Sequence, residues 1–199
     1  MITIGLTGSI GMGKSTTAKL FEEDGVAVCD SDAVVHQLYT GEAVALIEEA
    51  FNGTTENGQV NRQRLGEALR QNPANFEKLE QIVHPLVRKK QHVFLDHERQ
   101  GGAEFALLDI PLLFETGAES RVDKIVVVSC DADIQRQRVM SRPGMTEEKF
   151  QMILARQMPD EEKRRRADFI IDTGRGIEEA RVQVKAVLAA LRFERKEKV

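Results

Sequence analysis

The sequence predicts an α/β fold, a five-stranded parallel sheet with helices on both faces. Three observations lead there. Short apolar runs alternate with longer segments whose apolar residues recur at helical spacing. The runs are continuously apolar, as strands covered on both faces must be. The first run feeds directly into Gly8-Ser9-Ile10-Gly11-Met12-Gly13-Lys14-Ser15, the G-x-x-x-x-G-K-[ST] spacing of a phosphate-binding loop between strand and helix.

Each element has its own signal. The first strand is read at 2–7, and the helix after the loop starts its apolar pattern at Ala18, Leu20 and Phe21. Gly25 caps that helix, and a second strand follows at 26–30. Further strands are read at 105–110, 125–129 and 169–172. The gap from 31 to 100 is read as helical, with apolar faces at Val44, Ile47 and Phe51, at Leu65, Ala68 and Leu69, and at Phe76, Leu79, Ile82 and Val83. Pro73 suits a first helical turn. Pro85 is expected to end or kink that helix and begin another carrying Leu86, Val93 and Phe94. Asn57-Gly58 predicts a tight hairpin. From Gln135 a helix begins, is broken at Arg142-Pro143-Gly144, and resumes after the N-cap Thr146. Arg136, Arg138, Arg142, Arg156 and the run from Lys163 to Arg166 make this segment read as a mobile lid. Arg142 is expected to stand away from the phosphate loop until the lid closes. The last helix shows Ile177, Ala180, Val184, Val187, Leu188 and Leu191 on one face, and the charged tail 192–199 is expected to fray. The chain thus divides into a nucleotide-binding core (1–30, 101–134 and 167–199), a helical acceptor-side insertion (31–100) and a lid (135–166).

Composition narrows the partners. A net charge of −4 argues against nucleic acid as a general partner, while leaving room for a local basic pocket. No apolar run approaches the roughly 20 residues of a membrane span. The start of the chain lacks the basic stretch of a signal peptide. The expected compartment is the cytoplasm, and the expected state a monomer. Cys29 and Cys130 belong to no metal-binding spacing and are read as buried, reduced thiols. In the expected sheet order, 2-3-1-4-5, their strands lie three steps of about 4.8 Å apart, beyond the roughly 7 Å Cα limit of a disulfide.

The loop residues state the chemistry. Glycines at 8, 11 and 13 let backbone N–H groups turn toward phosphate oxygens, and the helix N-terminus adds its positive end. Met12 and Thr16 complete the phosphate cradle. Lys14 reaches the β- and γ-phosphates of ATP, and Ser15 offers a hydroxyl to Mg²⁺. The strand ending at Asp109 reads either as a Walker-B strand whose carboxylate meets Mg²⁺ through water or as a strand with a terminal cap. Asp30-Ser31-Asp32 reads either as a helix cap or as the site of a carboxylate that accepts a hydroxyl proton during phosphoryl transfer. No N-K-x-D guanine pattern follows, and the chain is short for a multidomain ATPase. A core, a helical insertion and an arginine-rich lid suit a P-loop nucleoside-kinase-like three-layer fold. A nucleoside monophosphate kinase and a non-catalytic nucleotide sensor are the competing classes.

The chain resembles the dephospho-CoA kinase family along nearly its whole length. The resemblance is carried by Gly5-Leu6-Thr7-Gly8, Asp30-Ser31-Asp32, Gly58 through Arg62 to Leu65, His84-Pro85 and Pro111-Leu112-Leu113-Phe114-Glu115. Gln135, Arg138, Arg142, Gln157 and Ala167-Asp168 through Ile171-Asp172 complete it. It implies transfer of the ATP γ-phosphoryl to the ribose 3′-hydroxyl of dephospho-CoA. It implies Asp32 as general base, with Lys14 and Arg142 neutralising the phosphoryl and Arg138 a further contact. It implies Arg62, His84 and Glu115 on the acceptor side. The chain departs from the family at Ser9, Met12, Pro143-Gly144 and Thr173; the last replaces an amide on the adenine side.

Overall fold

A computed structural model of the chain describes residues 1–197. The apolar runs form β1 (Ile2–Thr7), β2 (Ala27–Asp30), β5 (Phe105–Asp109), β6 (Lys124–Ser129) and β7 (Phe169–Asp172). These stand in one sheet in the order β2-β5-β1-β6-β7, which is the expected order once a small hairpin between the second and third of them is numbered. The register is parallel: Ile4 lies opposite Leu107 of β5 and Lys124 of β6, and Val128 of β6 lies opposite Ile171 of β7. Strand alternation sends Ile4, Leu6, Leu107, Val126, Val128 and Ile171 to one face. There α1 (Lys14–Glu23) brings Leu20 and Phe21, and α9 (Ile177–Glu197) brings Val184, Leu188 and Leu191. Leu107 is fully buried, so truncating it to Ala removes transfer free energy and leaves a cavity, about 2–5 kcal/mol together. Gly25 ends α1 at φ 83°, with Val26 N donating to Phe21 O at 3.0 Å, the closing bond of a Schellman turn.

The chain divides into two compact units, residues 1–28 with 98–199, and residues 29–97. Segment 135–166 belongs to the first. It forms α6 (Ala132–Met140), α7 (Glu147–Leu154) and α8 (Asp160–Arg166), and α8 packs on β6. The second unit holds α2 (Ser31–Leu38), α3 (Val44–Ala50), α4 (Arg62–Gln71) and most of α5 (Ala74–Gln100), with the hairpin β3 (Thr55–Glu56) and β4 (Gln59–Val60). Leu38, Ile47, Phe51, Leu65, Val83 and Val87 form its own core. The hairpin turns through Asn57 and Gly58, both at positive φ (51° and 76°), as a two-residue primed turn requires.

Several expectations are corrected. Pro85 does not end a helix; α5 runs through it for 27 residues. Proline forfeits one backbone hydrogen bond there, but Ile82, Val83, Leu86 and Val87 on either side all pack into the second core, and that burial holds the turns together. Val93 is 61% exposed and takes no part in that face. Ile177 is not on the core face of α9; as its first residue it stands 57% exposed. The tail expected to fray is helical through Glu197, while positions 198 and 199 lie outside the described residues. Cys29 is buried but Cys130 only partly so; neither forms a disulfide. No helix among the described residues is long and apolar enough to cross a membrane.

Candidate active site

The phosphate loop is shaped by what it touches. A Cβ on Gly8 would lie 2.4 Å from Val128 Cγ2 and 2.8 Å from the Val128 carbonyl, so the loop passes over β6 at a distance only glycine permits. Gly11 has φ 79°, and a Cβ there would meet Val139 Cγ2 of α6 at 2.5 Å. Gly13, at φ 91°, caps α1 without a side chain. From this cap the first turn of α1 presents the Lys14 side chain and the exposed residues Ser15 and Thr16. Lys14 Nζ lies 2.5 Å from Asp109 Oδ1, which leaves the terminal carboxylate of β5 paired to the loop lysine.

Around the loop lies a cavity of about 320 Å³, lined by Gly11, Gly13, Thr16, Arg138, Arg142 and Thr173 among others. Ile177 also lines it, which accounts for its place outside the core. Arg142 was expected away from the loop; it stands at the same cavity, exposed, with no ion pair to a described residue. Arg138 is held differently. Its Nη1 donates to Thr173 Oγ1 at 3.0 Å and its Nη2 to the Thr173 carbonyl at 2.8 Å. The Thr173 hydroxyl lies 2.8 Å from the Met12 carbonyl, so the residue that departs from the family pattern ties the loop, the end of β7 and Arg138 together. Burial pushes the Cys130 thiol up from its ordinary pKa, with the Arg138 guanidinium opposing, so it is no ready nucleophile.

In the second unit the two aspartates separate. Asp30 is the N-cap of α2, its Oδ1 accepting from Asp32 N at 2.8 Å and Ala33 N at 3.2 Å. Asp32 is exposed, and its carboxylate makes no hydrogen bond or ion pair with a described residue. Arg62 opens α4, with Nη2 2.6 Å from His36 Nδ1 and its guanidinium 5.7 Å from the centre of the Tyr39 ring. His84 sits half-buried within α5.

Glu115 is occupied on one side. Its Oε1 accepts from Met158 N at 2.7 Å and lies 2.9 Å from Nζ of Lys163, a lysine with no exposed side-chain surface. The ammonium is off the hydrogen-bond direction, so the contact is an ion pair rather than an aligned bond. Oε2 has no partner among the described residues. Lys163, read with the lid cations, is therefore an interior group. Two further contacts went unforeseen: Ile10 N donates to Gln157 Oε1 at 3.0 Å, and Gln135 Nε2 donates to Ile10 O at 2.8 Å. Both glutamines were visible as family positions, but no local pattern links them to residue 10.

A phosphate loop on the first strand of this parallel sheet, with arginines from a helical segment at its cavity, defines a P-loop kinase of small molecules. The family model described as dephospho-CoA kinase matches residues 2–179, and the chain belongs to that family. A dephospho-CoA kinase of Agrobacterium fabrum is 70% identical over 96% of this chain and 98% of its own length. Among solved structures, a Thermus thermophilus protein shares 34% identity over 96% of this chain and 97% of its own, with a TM-score of 0.82. A dephospho-CoA kinase of Campylobacter jejuni, 24% identical over 95% of this chain and 96% of its own, has the same fold at a TM-score of 0.66.

Proposed function

We propose that this chain transfers the γ-phosphoryl of ATP to the ribose 3′-hydroxyl of dephospho-CoA, giving coenzyme A and ADP. The observation that carries the reading is the division of labour at 30–32: Asp30 is spent on the helix cap, while Asp32 stands exposed and unengaged in a chain with a complete phosphate loop. Loop amides and Lys14 hold the transferring end of ATP. Arg142, from the same cavity, neutralises charge spread over the phosphoryl oxygens. Asp32 orients the 3′-hydroxyl and takes its proton as the oxygen–phosphorus bond forms and the bond to ADP breaks. Arg138 and Thr173 flank the nucleotide. Arg62 and His84 are assigned to the acceptor, as is the unpartnered Oε2 of Glu115.

The residues present fit Mg²⁺. The exposed Ser15 hydroxyl and the Asp109 carboxylate, through water, are the hard oxygen donors this ion takes, phosphate oxygens supplying others. When bound, it adds positive charge against the β- and γ-phosphates. Both substrates are polyanions that do not cross a bilayer unaided, so the proposed compartment is the cytoplasm.

The test is ADP release with dephospho-CoA, with nucleoside monophosphates, and with no acceptor. Release dependent on dephospho-CoA is expected. Turnover only with a nucleoside monophosphate, or nucleotide binding with no turnover, would replace this reading by one of the two competing classes.

A further inference from the structure

Two points of segment 135–166, its first residue and Gln157, meet at one residue of the phosphate loop. Gln135, 6% exposed in the first turns of α6, donates to the Ile10 carbonyl, and Gln157, after α7, accepts from the Ile10 amide. A single peptide unit on each side of Ile10 is thus held from two separate points of that segment. Beyond Gln157 the chain is pinned. Met158 N donates to Glu115, Lys163 pairs with Glu115, and the Ser129 hydroxyl donates to Asp160 Oδ2 at 2.6 Å. Gln135 is likewise backed by the contact of α6 with Gly11. Between these anchors, by contrast, Arg136 and Glu147 pair only at the exposed surface. Elsewhere in that stretch Arg138 is bonded to Thr173, and Val139 and Phe150 are buried, so the two glutamines hold Ile10 from packed structure.

We propose that Gln135 and Gln157 are positioning residues that set the orientation of the phosphate loop through Ile10. Ile10 directly precedes Gly11, whose positive φ begins the turn that aims the following amides. Rotation of the peptide before Gly11 would swing those amides out of the cradle. Gln135 holds the carbonyl of that peptide and Gln157 the N–H of the one before it, so Ile10 is fixed on both sides. Displacement of either carboxamide and loosening of the loop are therefore one event. The consequence for catalysis rests on the kinase reading; the clamp itself does not.

Two measurements test it. Amide hydrogen exchange of Ile10, with no ligand present, should be about tenfold or more faster in Gln157→Met, which keeps length but cannot accept. Gln157→Glu, which keeps an acceptor, should stay slow. Exchange at Leu107 and the melting temperature report whether either variant has simply loosened the fold. In parallel, titration with ADP and with adenosine should show Gln157→Met and Gln135→Met each weakening ADP about tenfold, roughly 1.4 kcal/mol, with adenosine unchanged. The double variant should lose less than the product of the singles, since both act through one residue, Ile10. Unchanged Ile10 exchange in Gln157→Met, or equal loss of ADP and adenosine, would overturn the proposal. Failure of the unsubstituted chain to bind ADP would instead remove the kinase reading and leave the exchange result standing on its own.

Discussion

Asp30 and Asp32 are two residues apart, and the backbone gives them different work. The Asp30 carboxylate is turned back onto two amides at the start of α2. Its loss should cost on the order of 1 kcal/mol of stability, the usual worth of such a cap, and little rate. Asp32 is in the first turn of that helix with its side chain outward. Asp32→Asn keeps the shape but cannot take a proton, so turnover should fall about 10²–10⁴-fold with substrate affinity and melting temperature little changed. Both variants are compared at saturating ATP and dephospho-CoA. An inactive Asp30→Asn beside an active Asp32→Asn would move the base two residues back. At this scale the sequence held the choice open, because Asp30 or Ser31 can cap while Asp32 either complements the helix dipole or takes a proton. Only the φ and ψ of Asp30 decide which carboxylate is used up.

At the scale of elements, buried or local charge holds segments in place. Glu48 of α3 accepts from Gly53 N, Thr55 N and Thr55 Oγ1 at 2.7, 2.9 and 2.6 Å, fastening the helix to the hairpin that follows. The Thr55 hydroxyl and the Gly53 amide hold its carboxyl below the usual value of 4.5. A depressed carboxyl pKa adds stability that is present above 4.5 and is lost as pH falls through the lower folded-state value. Unfolding titrations from pH 7 downward should therefore show an acid-dependent loss that Glu48→Gln lacks, having given up that stability already at neutral pH. Lys163 and Glu115 hold α8 to the loop after β5. Removing only the lysine, as in Lys163→Met, leaves a carboxylate in the interior and should cost about 3–5 kcal/mol by denaturant unfolding. Adding Glu115→Gln should recover part of it. A single-variant loss below about 1 kcal/mol would show the carboxylate to be solvated after all. These elements were only partly legible. Hairpin, caps and strands announce themselves within four or five residues, whereas the fate of Pro85 depended on apolar neighbours finding a core.

For the molecule as a whole, the carboxyl ends of the strands beside the phosphate loop also gather groups from distant parts of the chain. Arg142 comes to the same cavity as Gly11 and Thr173 because β6 pairs with β1 and β7 with β6. Its assigned work is in the transition state. Arg142→Ala should thus reduce kcat far more than affinity for ATP, and Arg142→Lys, which keeps charge but loses the planar fork, should retain part of the rate. Steady-state kinetics with separate ATP binding measurements check this; equal losses in both would place the arginine in ground-state binding.

What the sequence determined by itself is whatever its neighbours along the chain can specify. The glycine spacing and Lys14 make a phosphate loop, continuous apolar runs make a two-sided sheet, Gly25 ends a helix and Asn57-Gly58 turns a hairpin. Each of these is fixed by dihedral preference or side-chain period within a turn or two. What only the tertiary structure decided joins residues far apart in the chain: Ile10 with Gln135 and Gln157, Met12 with Thr173, Glu115 with Lys163, Lys14 with Asp109. A glutamine, a lysine or a threonine has the same local preferences whether it faces water or a loop over a hundred residues away. Its partner is chosen by the order in which strands lie side by side. That order was expected from the sequence, but which side chains then meet across it is set by packing, and no local spacing records it.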